Sequence, residues 1–341
     1  MLCFRYRTIF TTCFAIPLLN FSLTAHAQNT GAFQNNKQQT DASYNNCILT
    51  LVDEHAHLSA EKITSICTDV NELEPQQRES TMAERIVDEK TSLYDPFSLT
   101  AHKPNYVLPL SYNANHNSEH YDSFEEFPIQ DVEMQFQVSV KFPLWSNIYG
   151  KDFSFLAAYS ARSFWQAYNS DFSRLFRDTN YEPEAWLEWH PNDYALGSAK
   201  LRWLRGGFVH QSNGQAGGIS RSWNRIFAEA AVDWRNYMFS LKPWYRLPEP
   251  EDEDDNPDIE QYLGNFEFLT ARRFGEHTVS MMLRNNLRRE NKGAVELSWS
   301  IPMGEKVKAY VKYFNGYGET MLNYDHRSER YSLGFVVADW L

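Results

Sequence analysis

The sequence predicts an all-β protein: a transmembrane antiparallel β-barrel of about twelve strands with a polar N-terminal extension. Three observations lead there: an export leader, the absence of any long apolar run after it, and a strict period-two pattern in long segments. The leader comes first. Arg5 and Arg7 form a short basic region, Thr8–Leu23 is largely apolar, and Ala25-His26-Ala27 is a small-x-small cleavage site, so residues 1–27 read as a signal peptide removed before Gln28. Beyond Ala27 no stretch of about 18 apolar residues occurs, which leaves an exported chain to be either soluble or a barrel.

Alternation favours the barrel. From Asp131 to Phe142, Val132, Met134, Phe136, Val138, Val140 and Phe142 interleave with Asp131, Glu133, Gln135, Gln137, Ser139 and Lys141. Successive strand side chains point to opposite faces, so one face is wholly apolar and the other wholly polar. The pattern recurs in Val295–Ile301 and Val307–Tyr313. Strands are expected to start near residues 104, 131, 153, 180, 198, 222, 236, 259, 277, 293, 305 and 329. Several exceed the length usual in a soluble sheet, as a tilted membrane strand requires. Tyr and Trp crowd the segment ends, as in Asn180-Tyr181 and Lys242-Pro243-Trp244-Tyr245, in the manner of interfacial girdles. A large soluble β-sandwich is the competing fold; its strands would be shorter and poorer in Trp and Tyr.

Residues 28–92 are polar and poor in aromatics, and read as a periplasmic extension, partly disordered, with a short helix around Ala56–Ile66. Residues 93–341 are then the barrel. Of four cysteines, Cys3 and Cys13 leave with the leader; Cys47 and Cys67 are a candidate disulfide in an oxidising compartment. A formal charge of -12 excludes the basic footprint of a nucleic-acid binder. Glu249–Asp258, with seven carboxylates in ten residues, reads first as a solvated, self-repelling loop and second as a calcium-attracting one.

Chemistry concentrates in Gly206-Gly-Phe-Val-His210-Gln-Ser212-Asn-Gly214 and Ser220-Arg-Ser-Trp-Asn224-Arg225. His210 and Ser212 are two apart on a strand and share a face. A hairpin pairing Ser212 with Ser222 also pairs His210 with Asn224. That sets a nucleophile, a base and a group to hold the base side by side, the logic of a serine hydrolase. Asn224 shares parity with Ile226, Ala228, Ala230 and Val232, whereas Arg225, Glu229 and Asp233 take the other, lumenal parity. The three residues therefore face lipid, which points to a lipid ester as substrate.

The His210-Gln-Ser212-Asn-Gly and Arg221-Ser-Trp-Asn224-Arg motifs resemble those of the outer membrane phospholipase A family. The likeness covers roughly residues 94–341. Asn180-Tyr-Glu-Pro183, Lys242-Pro-Trp-Tyr245, Asp255-Asn-Pro-Asp-Ile259 and Gly316-Tyr-Gly-Glu319 also look like family landmarks. The resemblance implies a twelve-stranded barrel in the cell outer membrane. It implies calcium-dependent cleavage of acyl esters of phospholipids and lysophospholipids at either glycerol position, by an enzyme active as a homodimer. It implies Ser212 as nucleophile, His210 as base and Asn224 as orienting group. It also implies catalytic calcium held by the Gln215 carbonyl, by Ser220 and by the Ser173 carbonyl of the other protomer. Asp255 keeps one carboxylate of a second calcium site, while Gly217 replaces the acidic residue common in the family's loop. Ala161 falls where the family has an interface glutamine. The rival readings are a passive outer-membrane channel and a catalytically inactive barrel.

Overall fold

A computed structural model describes most of residues 99–341, apart from 118–128, 147, 149–152, 171–172, 174–175, 192–193 and 305–306, together with residues 48, 49, 52, 60, 63, 64 and 67. Twelve strands form the barrel: β1 (Asn105–Asn113), β2 (Val132–Trp145), β3 (Phe153–Trp165), β4 (Phe176–Trp189), β5 (Ala199–Ser212), β6 (Ser222–Trp234), β7 (Tyr237–Arg246), β8 (Phe266–Phe274), β9 (His277–Asn285), β10 (Gly293–Pro302), β11 (Lys308–Gly316) and β12 (Ser328–Ala338). Each is antiparallel to its neighbours, and β12 returns to pair with β1, from Arg330↔Asn113 to Ala338↔Asn105. Closure leaves no sheet edge, which a lipid environment demands because it offers no hydrogen bonds to exposed backbone.

The alternation of the sequence becomes an inside and an outside. On β2, Glu133, Gln135, Gln137, Ser139 and Lys141 are buried in the lumen, while Val138 on the opposite face is exposed. The outer surface is a belt of apolar side chains that includes Val107, Leu204, Phe208, Ile226, Leu241, Val279, Leu297, Leu333 and Val337. This inversion of the usual rule is the mark of a barrel solvated by hydrocarbon.

Two expectations are corrected. The segment beginning at residue 259 is a short helix, α1 (Ile259–Leu263), and the strand begins at Phe266. Pro257 restricts the entering backbone, and Gly264 ends the helix at φ 71°, where a side chain would meet the Asn285 carbonyl. Nor does Trp244 join a girdle: it points inward with Trp186, Trp203 and Trp223, leaving Trp145, Trp234 and Trp299 among the exposed aromatics.

The expected signal peptide, residues 1–27, and most of the expected 28–92 extension lie outside the described residues. Within it Ala60, Ile63, Thr64 and Cys67 are helical, and Ile63 and Cys67 are buried. Cys67 is disulfide-bonded; Cys47 lies outside the described residues.

Candidate active site

The site is built on the β5–β6 hairpin. The register pairs His210 with Asn224 and Ser212 with Ser222. Even-numbered residues of this stretch face outward: Leu204, Phe208 and Ile226 are exposed, whereas Val209, Trp223 and Phe227 are buried on the inner face. His210, Ser212 and Asn224 therefore lie together on the lipid side. His210 Nδ1 is 2.9 Å from Asn224 Oδ1. An amide oxygen only accepts, so Nδ1 carries the proton and Nε2 keeps its lone pair, the tautomer a general base needs.

Around the barrel, Ser212 ends a row of outward residues on adjacent strands: Val138 opposite Ala161, Ala161 opposite Tyr181, and Tyr181 opposite Ser212. The Tyr181 ring also lies over the turn that follows the serine. A Cβ on Gly214, which has φ 65°, would come within 2.9 Å of it, so only glycine fits there.

Beneath the hairpin the inner face is braced. Gln211, between histidine and serine, points inward and accepts from Trp223 Nε1 at 2.8 Å and from Arg225 Nη2 at 3.1 Å. The Arg225 guanidinium stacks over the Trp223 ring at 4.0 Å. Trp223 belongs to an apolar cluster with Trp186, Val209, Phe227, Trp244, Ile259 and Leu263, which α1 and the segment before β12 help to close through Met321 and Tyr324.

The turn between β5 and β6 is tied by Asn213, which is 1% exposed. Its Nδ2 donates to the Ile219 carbonyl at 2.8 Å, and its Oδ1 accepts from the backbone N–H of Arg221 at 3.0 Å and of Gln215 at 3.3 Å. A single buried amide thus holds both ends of the loop that carries Gln215 and Ser220.

The acidic loop after β7 is not a free solvated segment. It docks on the first residues of β6 and on Ser220 just before them through four hydrogen bonds. Leu247 N–H donates to the Asn224 carbonyl at 2.8 Å, and Asn224 Nδ2 donates to Glu249 Oε1 at 2.9 Å. Ser222 N–H donates to Asn256 Oδ1 at 3.0 Å, and the Ser220 hydroxyl donates to Asp255 Oδ2 at 2.5 Å. Self-repulsion is relieved in part by Arg246, whose Nη2 binds Asp254 at 2.6 Å.

Of the expected metal ligands, Ser220 and Asp255 are brought into contact, and Gln215 stands exposed on the same loop as Ser220. Ser173 lies on a different connection, between β3 and β4, and its carbonyl accepts the Trp165 indole N–H at 2.7 Å. The donors available at the loop are hydroxyl, carbonyl and carboxylate oxygens. That set fits a hard cation such as calcium and not a thiophilic one. Asn213 and Glu249 were not singled out by sequence reasoning; their partners are set by loop docking, which leaves no periodic signal.

Comparison with known proteins decides the family. The phospholipase A1 family model matches residues 82–337.

This chain belongs to the phospholipase A1 family.

Phospholipase A1 of Klebsiella pneumoniae is 35% identical over 247 residues, covering 72% of this chain and 84% of the relative. Outer membrane phospholipase A from Escherichia coli shares the fold with a TM-score of 0.67 at 32% identity, covering 72% of this chain and 100% of that one. The Salmonella typhi outer membrane phospholipase, a dimer with bound calcium, gives a TM-score of 0.68 at 32% identity over 73% of this chain and 96% of that one. With its closed barrel and apolar outer belt, this member of the phospholipase A1 family is an outer-membrane protein.

Proposed function

We propose that the protein hydrolyses acyl ester bonds of phospholipids and lysophospholipids, at sn-1 and sn-2, in the outer membrane. Calcium assists the reaction, and pairing with a second copy activates the enzyme. The observation that carries this reading is the 2.9 Å contact of His210 with Asn224 on the outward face, with Ser212 two residues along the same strand. The Ser212 hydroxyl attacks the ester carbonyl carbon, and its proton passes to His210 Nε2. The leaving glycerol oxygen takes that proton, and water then releases the fatty acid from Ser212 by the same base. Asn224 Oδ1 holds the imidazole in its tautomer and accepts more strongly once the ring is charged.

Ser220 and the Gln215 carbonyl, completed by the partner subunit's Ser173, would hold calcium, with Asp255 beside Ser220 as the adjacent carboxylate. Bound there, the ion would supply positive charge for the carbonyl oxygen as negative charge develops on it. Neutral oxygens on an exposed loop make for modest affinity. Such a site, completed by a second chain, would keep an enzyme surrounded by its own substrate silent until it pairs. Here Gly217 offers no carboxylate, so the carboxylate of this loop region comes from Asp255. Ala161, in the outward row next to Tyr181, gives a contact without the amide of the family's interface glutamine. In this reading residues 1–27 direct export and are removed, 28–92 form a periplasmic extension, and 93–341 form the barrel enzyme.

A passive channel fits less well. The lumen is crossed by ion pairs and aromatic side chains, and the polar cavity that remains is lined by Lys103, Arg162, Glu182, Arg225, Glu267 and Glu296.

The deciding experiment measures fatty-acid release from phospholipid in detergent micelles, comparing wild type with Ser212→Ala, each with calcium and with excess chelator. Release that needs both Ser212 and calcium supports the whole reading. Release that needs Ser212 but ignores the chelator keeps the triad and removes the metal. No release from folded, calcium-loaded dimer sinks the proposal, and ion conductance that survives Ser212→Ala would put a channel in its place.

A further inference from the structure

We propose that Glu249 is a fourth member of the catalytic array, a positioning residue that fixes the orientation of the Asn224 amide and through it the tautomer of His210. The inference rests on the triad reading above and goes beyond it.

An asparagine has a weakness as the third member of such an array. Its amide presents an acceptor on one side and a donor on the other, and rotation by half a turn exchanges them. With Oδ1 toward His210 the ring keeps its proton on Nδ1 and Nε2 is free to act as base. With Nδ2 toward His210 the ring must accept at Nδ1, the proton moves to Nε2, and the base is lost. A carboxylate in the third position has no such failure. Something must therefore hold the amide, and Glu249 is placed to do it. Asn224 Oδ1 lies 2.9 Å from His210 Nδ1, and Asn224 Nδ2 lies 2.9 Å from Glu249 Oε1. An ionised carboxylate can only accept, so it forbids the turned amide as well as favouring the right one. The pair of bonds also carries negative charge toward the imidazole, in the same sense as a carboxylate in direct contact.

The backbone around Glu249 is built to present it. Leu247 N–H donates to the Asn224 carbonyl at 2.8 Å, extending the β6–β7 pairing by one bond beyond Arg225↔Arg246. Pro248 and Pro250 flank the glutamate. Each fixes its own φ and holds the residue before it in extended conformations, so Leu247 and Glu249 have little freedom to swing. Glu249 is partly buried between two exposed prolines, its side chain turned to the barrel and theirs to solvent. No other carboxylate of the acidic loop has this arrangement: Asp254 is taken by Arg246, Asp255 by Ser220 and Asp258 by the Tyr324 hydroxyl.

The test uses the full-length, calcium-supplied protein in mixed micelles of phospholipid and detergent, with folding checked by circular dichroism. Four variants are compared with wild type: Glu249→Ala, Glu249→Gln, Asn224→Ala and the double Glu249→Ala/Asn224→Ala. Glu249→Ala should lower kcat about tenfold with KM unchanged, the scale on which partners that orient a working imidazole act. Glu249→Gln keeps an oxygen at the same reach but adds a donor that tolerates the turned amide, so it should recover only part of that loss. In the Asn224→Ala background, removing Glu249 should cost nothing further, because the glutamate then has no amide to hold. Two results would overturn the proposal: kcat of Glu249→Ala within twofold of wild type, or an equal further loss in the Asn224→Ala background. The last would mark Glu249 as a loop support only. Ser212→Ala is run alongside. If it still releases fatty acid, the triad itself has failed and Glu249 falls with it; if only the Glu249 outcomes fail, the triad stands.

Discussion

The barrel fills its interior in two different ways, and the difference follows the site. Behind the candidate catalytic hairpin, the inner faces of β4 to β7 set a cluster of large apolar side chains, Trp186, Val209, Trp223, Phe227 and Trp244, against α1, with ion pairs such as Lys242 to Glu184 between them. Across the lumen, where β1, β2 and β12 meet the start of β4, the same inward positions carry charge. Glu133 binds Arg177 at 2.8 Å and Arg330 at 2.9 Å, and Arg330 reaches Glu319 at 2.6 Å. Both walls obey the same period-two rule and present the same lipid-facing belt. Charged networks suit a wall that need only be closed and specific, because each partner fixes the next. The wall under the site must resist bending, and there large rings pack against one another and against the Arg225 guanidinium stacked on Trp223.

The comparison can be broken from either side. The largest stability loss is expected on the charged wall. Arg330→Met strands Glu319 in the lumen, leaves Glu133 to Arg177 alone of the two arginines, and should cost roughly 3–5 kcal/mol, read as a lowered midpoint of unfolding in detergent. Activity of the fraction that remains folded should be little changed, since this network lies away from the hairpin. A double change, Arg330→Met with Glu319→Gln, should regain much of that loss, since Arg177 still neutralises Glu133. If it did not, the network would be more than mutual neutralisation.

Trp223→Ala sharpens the contrast. It opens a cavity under β6 and should cost about 3 kcal/mol, but here kcat of the folded enzyme should fall too, because Gln211 loses its indole donor and the strand carrying His210 and Ser212 is freed. Equal kcat in Trp223→Ala and wild type would show that the inner wall does not support the site. A smaller effect, about 1–2 kcal/mol, is expected for Asn213→Ala, which removes three hydrogen bonds from the β5–β6 turn. Its signature should be a raised calcium requirement for fatty-acid release rather than a large stability change. The smallest is Ser111→Ala, which removes the hydroxyl contact to Ser332 and one bond from Arg330. About 1 kcal/mol or less is expected, with no change in kcat.

The outward wall was easier to read from sequence than the inward one. Alternation on Asp131–Phe142 is strict because lipid rejects polar side chains, so the outer face admits few exceptions. The inner face admits either polar or apolar groups, provided they find partners, and so Trp244 reads from sequence as a girdle residue although the register turns it inward. The pairing of His210 with Asn224 was legible because the glycine-rich loop 213–221 marks both strand ends, and counting outward from its centre pairs Ser212 with Ser222. The helix at Ile259–Leu263 was misread as a strand start because five residues are too few to show a period. Glu249 and Asn213 act through bonds between loops, and neither parity nor spacing registers such contacts. The acidic loop looked free for the same reason: composition counts its charges, while docking depends on which four groups meet the start of β6.

Closure of the barrel has a consequence for how the protein can be made. The strand that completes it, β12, is the final one, and it pairs along its length with β1, the first. A chain that stops short of Ser328 would have every element of the catalytic hairpin yet leave two open edges, each a row of backbone groups that hydrocarbon cannot satisfy, at several kcal/mol apiece. Such a fragment could not settle in the bilayer. The topology thus ties the proposed serine and histidine to closure: they sit in a barrel that lipid can solvate only once β12 has paired with β1.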